Sequence, residues 1–106
     1  MQDIKQKKMK IPDKIELLGS IIKTVYDQQL LEEFKQVAQH NSAFNEIRLK
    51  KRHEDRIFDG DILFENYIHE LVHAMLTKLK YDKLNDNEQF IEQFSNLLVQ
   101  VLKQLK

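Results

Sequence analysis

The chain has no cysteine and no tryptophan, and only one proline and two glycines in 106 residues. Without cysteine it can form neither a disulfide nor a thiolate zinc site. It also lacks an excess of either charge, since Lys plus Arg and Asp plus Glu are 17 each. That balance provides no basic field of the kind a general nucleic-acid binder needs, so no nucleic-acid partner is expected. No 18-residue run is free of charge, so no membrane-spanning helix is expected. Met1 to Lys10 is polar and basic with no apolar stretch after it, unlike a secretory signal. The expectation is an intracellular, cytoplasmic protein. The length suits one domain, 1–106, with a modest core.

The informative stretch lies where glycine and proline are absent. From Asp61 to Lys80 there is neither, good helix formers dominate, and Asp59-Gly60-Asp61 marks the start. A helix is expected over 61–80. Inside it, residues 69–73 read His69-Glu70-Leu71-Val72-His73, an H-E-x-x-H motif. Two histidines four apart lie one turn from each other on one helix face, so both imidazoles can reach a single metal ion. The glutamate between them is placed to take a proton from a water at the metal's open position. With four His and nine Glu in the chain, this motif arises by chance roughly once in a hundred such sequences. The bland alternative is a surface helix carrying two incidental histidines. Against it, Phe64, Ile68, Leu71, Val72, Met75 and Leu79 cover most of the helix, while Ile62 and Leu76 share the histidine stripe. So apolar a helix should be central, and buried histidines need partners.

A zinc site with an open position needs a third protein ligand. Metzincins place a third His six residues beyond the second, and here that position is Leu79. His40 and His53 lie upstream in expected loop or strand and are weaker candidates. The remaining source is a later helix, expected over 86–105. There Phe90, Ile91, Phe94, Leu97, Leu98, Val101, Leu102 and Leu105 form an apolar face, and Glu88, Glu92 and Asn96 run along its flank. Either glutamate can reach the metal. Glu92 is preferred because it sits a full turn inside the helix, whereas an acid in the first turn, such as Glu88, is favoured by the helix dipole alone.

The H-E-x-x-H helix followed by Glu92-Gln93-Phe94-Ser95-Asn96 resembles the gluzincin arrangement, in which a later helix supplies the third ligand. The stretch Phe64 to Gln104, with its phrase His69-Glu70-Leu71-Val72-His73-Ala74, is similar to minimal zincin-type metallopeptidases of phage and prophage origin. The resemblance implies a zinc hydrolase with His69, His73 and Glu92 as ligands and Glu70 as general base. It also implies Asn96 as the residue that orients a histidine, where gluzincins often carry aspartate. The substrate class implied is a peptide or protein.

The rest of the chain is less specific. Residues 1–12 form a basic arm with Lys5, Lys7, Lys8 and Lys10, and Arg48, Lys50, Lys51, Arg52 and His53 form a second basic run. No aromatic residues interleave with either, so both read as solvated charge. Residues 13–51 read as mainly sheet: a strand or bent strand over 15–26, a short helix over 28–34 capped by Asp27, strand or helix over 35–40, a turn at 41–43 and a strand over 45–51. Residues 52–60 and 81–85 read as connections. The expected fold is α+β, a small two- or three-stranded sheet packed on the motif helix and closed by the C-terminal helix. Two rival functions remain: a zinc-stabilised domain that binds a partner and cleaves nothing, and a metal-free interaction module. For the oxyanion donor that peptide hydrolysis requires, His40, His53, Tyr67 and Tyr81 are all open.

Overall fold

The computed structural model describes residues 9–105. Lys5, Lys7 and Lys8 of the basic arm lie outside them. The chain is α+β. Strands β1 (Lys14–Leu17), β2 (Ser20–Tyr26), β3 (Ala38–Asn41) and β4 (Glu46–Leu49) form one sheet in the order β1-β2-β4-β3. Helix α1 (Gln28–Glu33) links β2 to β3. A two-stranded ribbon, β5 (Arg52–His53) and β6 (Arg56–Ile57), leads into α2 (Gly60–Leu79), the short α3 (Asp82–Asn85) and α4 (Glu88–Gln104).

The sheet has four strands where two or three are expected. The extra strand comes from Leu18 and Gly19, which both adopt positive φ, 46° and 85°. Two such residues make the tight turn whose twist matches an antiparallel hairpin, so 14–26 folds back on itself and does not merely bend. The stretch 52–57, expected as loop, closes instead into the β5–β6 ribbon. There Arg52 pairs with Ile57 and His53 with Arg56. Ile57 is exposed, so no apolar alternation announced it.

Chain direction positions β3 at an edge. After β2, the chain crosses through α1 to the outside of the sheet, then turns back so that β4 inserts parallel to β2 and antiparallel to β3. β3 thus keeps one unpaired edge. α2 lies across β3 and β4. Ile22, Ala38, Ile47 and Leu49 from the sheet meet Phe64, Tyr67, Ile68, Leu71, Val72 and Leu76 from α2, with Ile91 and Val99 from α4. This buried cluster is the core and fixes the helix that carries the motif.

The helix ends are set by local chemistry. Asp59 accepts a hydrogen bond from the Ile62 N–H and caps α2. At the other end Lys80 is left-handed, the Lys80 N–H bonds to the Thr77 carbonyl and the Tyr81 N–H to the Leu76 carbonyl. That is the Schellman closure, made here without the usual glycine. Asn87 caps α4 through the Phe90 N–H. Between these two stops, residues 81–85, expected as a plain connection, coil into α3 and bring Asn85 back under α2.

α4 does not bury the middle of its apolar face. Its buried residues are Ile91, Ser95 and Val99, with Leu98 and Leu102 partly covered, while Phe94, Leu97, Val101 and Leu105 are exposed. The small Ser95 side chain sits at the approach to the core. The stripe pressed on the rest of the fold is therefore Ile91-Ser95-Val99-Leu102, with the exposed Glu88 at its N-terminal end, rotated from the apolar centre by most of a right angle.

Candidate metal centre

The rotation of α4 decides which acid meets the histidines. His69 and His73 project from one face of α2, with ring centroids 5.2 Å apart. Glu88, one turn before Ile91 on the packed stripe, reaches both: its two carboxylate oxygens lie 3.6 Å from His69 Nε2 and 3.4 Å from His73 Nε2. One donor atom from each of the three residues can be chosen so that all lie within 4.8 Å of one another. Bonds of about 2.0–2.1 Å in a tetrahedral zinc site separate its donors by roughly 3.3 Å, so the His–Glu88 spacings suit a single small ion. The donor set, two imidazoles and one carboxylate, is what a zinc ion with an open position takes.

Glu92, the ligand expected from the sequence, is not in this group. It lies one turn further along α4 and lines the neighbouring cleft with His69, Glu70, Ser95 and Asn96. The expectation centred α4 on its most apolar line. The helix instead packs through Ser95, and that turns Glu88 toward the histidines and Glu92 aside. The visible signal was the seven-residue step from Glu88 to Ser95 to Leu102. It was masked because an acid in a first turn already has a local explanation.

The residue orienting His73 was also missed. His73 Nδ1 is 2.6 Å from Asn85 Oδ1, the Asn85 amide donates to Thr77 Oγ1 at 2.9 Å, and the Thr77 hydroxyl donates to the His73 carbonyl at 2.9 Å. The closed ring of bonds assigns Nδ1 as the protonated nitrogen and leaves the Nε2 lone pair directed toward Glu88. Asn96 makes no such contact and lines the cleft beside Glu92. Asn85→Leu should weaken zinc binding by about 10- to 100-fold, read by competition with a chelating dye. Asn96→Leu should leave it unchanged. Equal affinities in the wild type and the Asn85 variant would remove Asn85 from the site.

Burial sets the electrostatics. Desolvation, then the neighbouring His73, lowers the His69 pKa, so that ring stays neutral and able to ligate near neutral pH. His40 on β3 is held down by burial, then by His73 and Lys78. Glu70 is pushed up to about 7 by burial, against the opposing pull of His73 and of a backbone hydrogen bond from His40. A cation alongside would draw it down again.

No known protein family, curated protein or solved structure matches this chain. What the site can do therefore rests on its own residues.

Two adjoining clefts flank His69 and Glu70. One, of about 310 Å³, is lined by Gln36, Ala38, Gln39 and His40 of the β3 region together with His73 and Glu88. The other, of about 380 Å³, runs past Val37, Asn66, Glu92 and Asn96. Together they follow the free edge of β3. Of the four oxyanion-donor candidates, only His40 faces these clefts. Tyr67 is buried in the core, His53 lies on β5 beside Glu54, and Tyr81 is exposed at the end of α2.

The raised Glu70 pKa has a measurable consequence for the metal-free protein. Folded, the carboxyl titrates at about 7, and its ordinary value is 4.5. Between those values the folded state holds more protons than the unfolded one, so this group's contribution is full below pH 4.5 and is lost as pH rises through about 7. The loss is at most about 3 kcal/mol. His69 and His40 act in the opposite direction, their stabilisation growing as pH rises, so the comparison with Glu70→Gln isolates the carboxyl. Chemical denaturation of the metal-free proteins should show the variant gaining on the wild type from pH 5 to pH 8. Parallel profiles would contradict the raised value.

Proposed function

We propose that this protein is a zinc-dependent peptidase that hydrolyses peptide bonds by a metal-activated water. The observation that carries the reading is the meeting of His69, His73 and Glu88 around one point, with Glu70 lining the same cleft and an unpaired strand edge alongside. His69, His73 and Glu88 would hold the ion. When bound, zinc would supply a Lewis acid and lower the pKa of its water toward about 7. Glu70 takes the proton from the attacking water and passes it to the leaving amine. His40, neutral and lining the same cleft, donates a hydrogen bond to the carbonyl oxygen as charge develops there. The substrate backbone adds to the free edge of β3, with Glu92 and Asn96 contacting side chains in the second cleft.

A purely structural zinc site accounts for the three ligands but has no use for a half-buried carboxyl beside them. Glu70 therefore favours the enzyme over a zinc-stabilised binding domain. The experiment is digestion of a mixed peptide library by the zinc-loaded protein. Expected are cleavages that cease on chelation and return with zinc. Zinc-loaded protein that cleaves no peptide would favour the binding domain, and protein that takes up no metal would favour an interaction module.

A further inference from the structure

We propose that α4 pairs antiparallel with α4 of a second copy of this chain. The rotation that brings Glu88 to the histidines leaves the centre of the α4 apolar face uncovered. Phe94 is 41% exposed, Leu97 58% and Val101 44%, and Phe90, partly covered, stacks on Phe94 with ring centroids 5.6 Å apart. Phe90, Phe94, Leu97 and Val101 follow one another at steps of four, three and four residues. That is the alternation of a coiled-coil seam over two heptads. A sequence carrying this seam for internal packing would bury it, and α4 buries its neighbour stripe instead.

Charge and volume single out a second copy as the occupant. α4 has only three charged residues, Glu88, Glu92 and Lys103. Glu88 and Glu92 face the metal centre and its cleft, and Lys103 lies 3.4 Å from Asp61 of α2. The open flank of the seam is Gln93 and Gln100, with Gln89 and Gln104 beyond, all exposed and all neutral. Coiled-coil partners of different sequence are usually selected by charges at such flanking positions. A glutamine both donates and accepts, so this flank matches itself and brings no like charges together. Antiparallel pairing about a twofold axis between Ser95 and Asn96 places Phe90 opposite Val101 and Phe94 opposite Leu97 of the other copy. Each ring then meets an aliphatic side chain, which fills the layers evenly, whereas parallel pairing stacks ring layers beside narrow ones. Gln93 faces Gln100 across the same axis. The metal centre lies on the other side of α4, so both sites remain open.

Sedimentation of the full chain across the micromolar range is the first arm of the test. The wild type should pass from monomer to dimer, and Leu97→Glu should remain monomeric with its zinc affinity unchanged, which shows that it is folded. A wild type that stays monomeric throughout, or a Leu97→Glu protein that dimerises equally, overturns the proposal. The absence of cysteine makes the second arm clean. A short thiol-reactive bifunctional cross-linker added to a mixture of Gln93→Cys and Gln100→Cys chains should give the mixed cross-linked dimer. Cross-linking of either variant only with itself would show a different pairing and reject the antiparallel arrangement.

Discussion

Glu70→Gln should retain zinc at full occupancy and lose peptide hydrolysis by at least about 10²-fold, the lower bound for removing a positioned general base. The substitution keeps the shape of the side chain and removes its proton-accepting charge. It touches none of the donors His69, His73 and Glu88, which meet within 4.8 Å of one another without it. Burial already holds this carboxyl near neutrality, so replacing it with a neutral amide should not unfold the protein. Zinc content by elemental analysis and cleavage of one library-derived peptide, measured on the same sample, separate the two effects. Activity equal to the wild type would exclude Glu70 as the base. A loss of both zinc and activity would show that its role is to hold the metal.

The second large effect distinguishes two acids one helical turn apart. Glu88→Gln should lower zinc affinity by two orders of magnitude or more, because it removes the sole anionic donor of the group and its charge-assisted bond to the ion. Glu92→Gln should change affinity only several-fold, through the loss of a charge that lies near His69 without joining the donor set. Glu88 is the more exposed kind of ligand, with 71% of its side chain open against 18% for His73. Its placement depends on the Asn87 cap and on Ile91 and Ser95 anchoring the first turns of α4. Calorimetric titration of the two variants ranks them. The reverse order would return Glu92 to the site and require α4 to rotate.

The parts of this site written in a single element were legible in the sequence. H-E-x-x-H inside a glycine-free, proline-free apolar run specifies the helix, the shared face of His69 and His73, and the position of Glu70 between them. The Asp27 cap could likewise be read, since it bonds within three residues of itself. What the sequence concealed depends on packing between elements. Which edge of a broad apolar helix is buried depends on the partner surface, and α4 chose the edge with serine. Asn85 joins His73 only because the left-handed Lys80 ends α2 and α3 folds back beneath it. β3 became an edge strand through the order of strand pairing, which no local pattern in residues 35–51 records. The four-stranded sheet followed from a two-residue turn at Leu18-Gly19 that hydropathy alone reads as one continuous strand.

The central claim is that two imidazoles from α2 and one carboxylate from α4 hold a single divalent ion. Equilibrium dialysis against zinc, with wild type and His69→Ala side by side, tests it most directly. About one zinc per chain in the wild type and none in the variant is the expected result. Full occupancy in His69→Ala, or a wild type that binds no zinc at all, would contradict it.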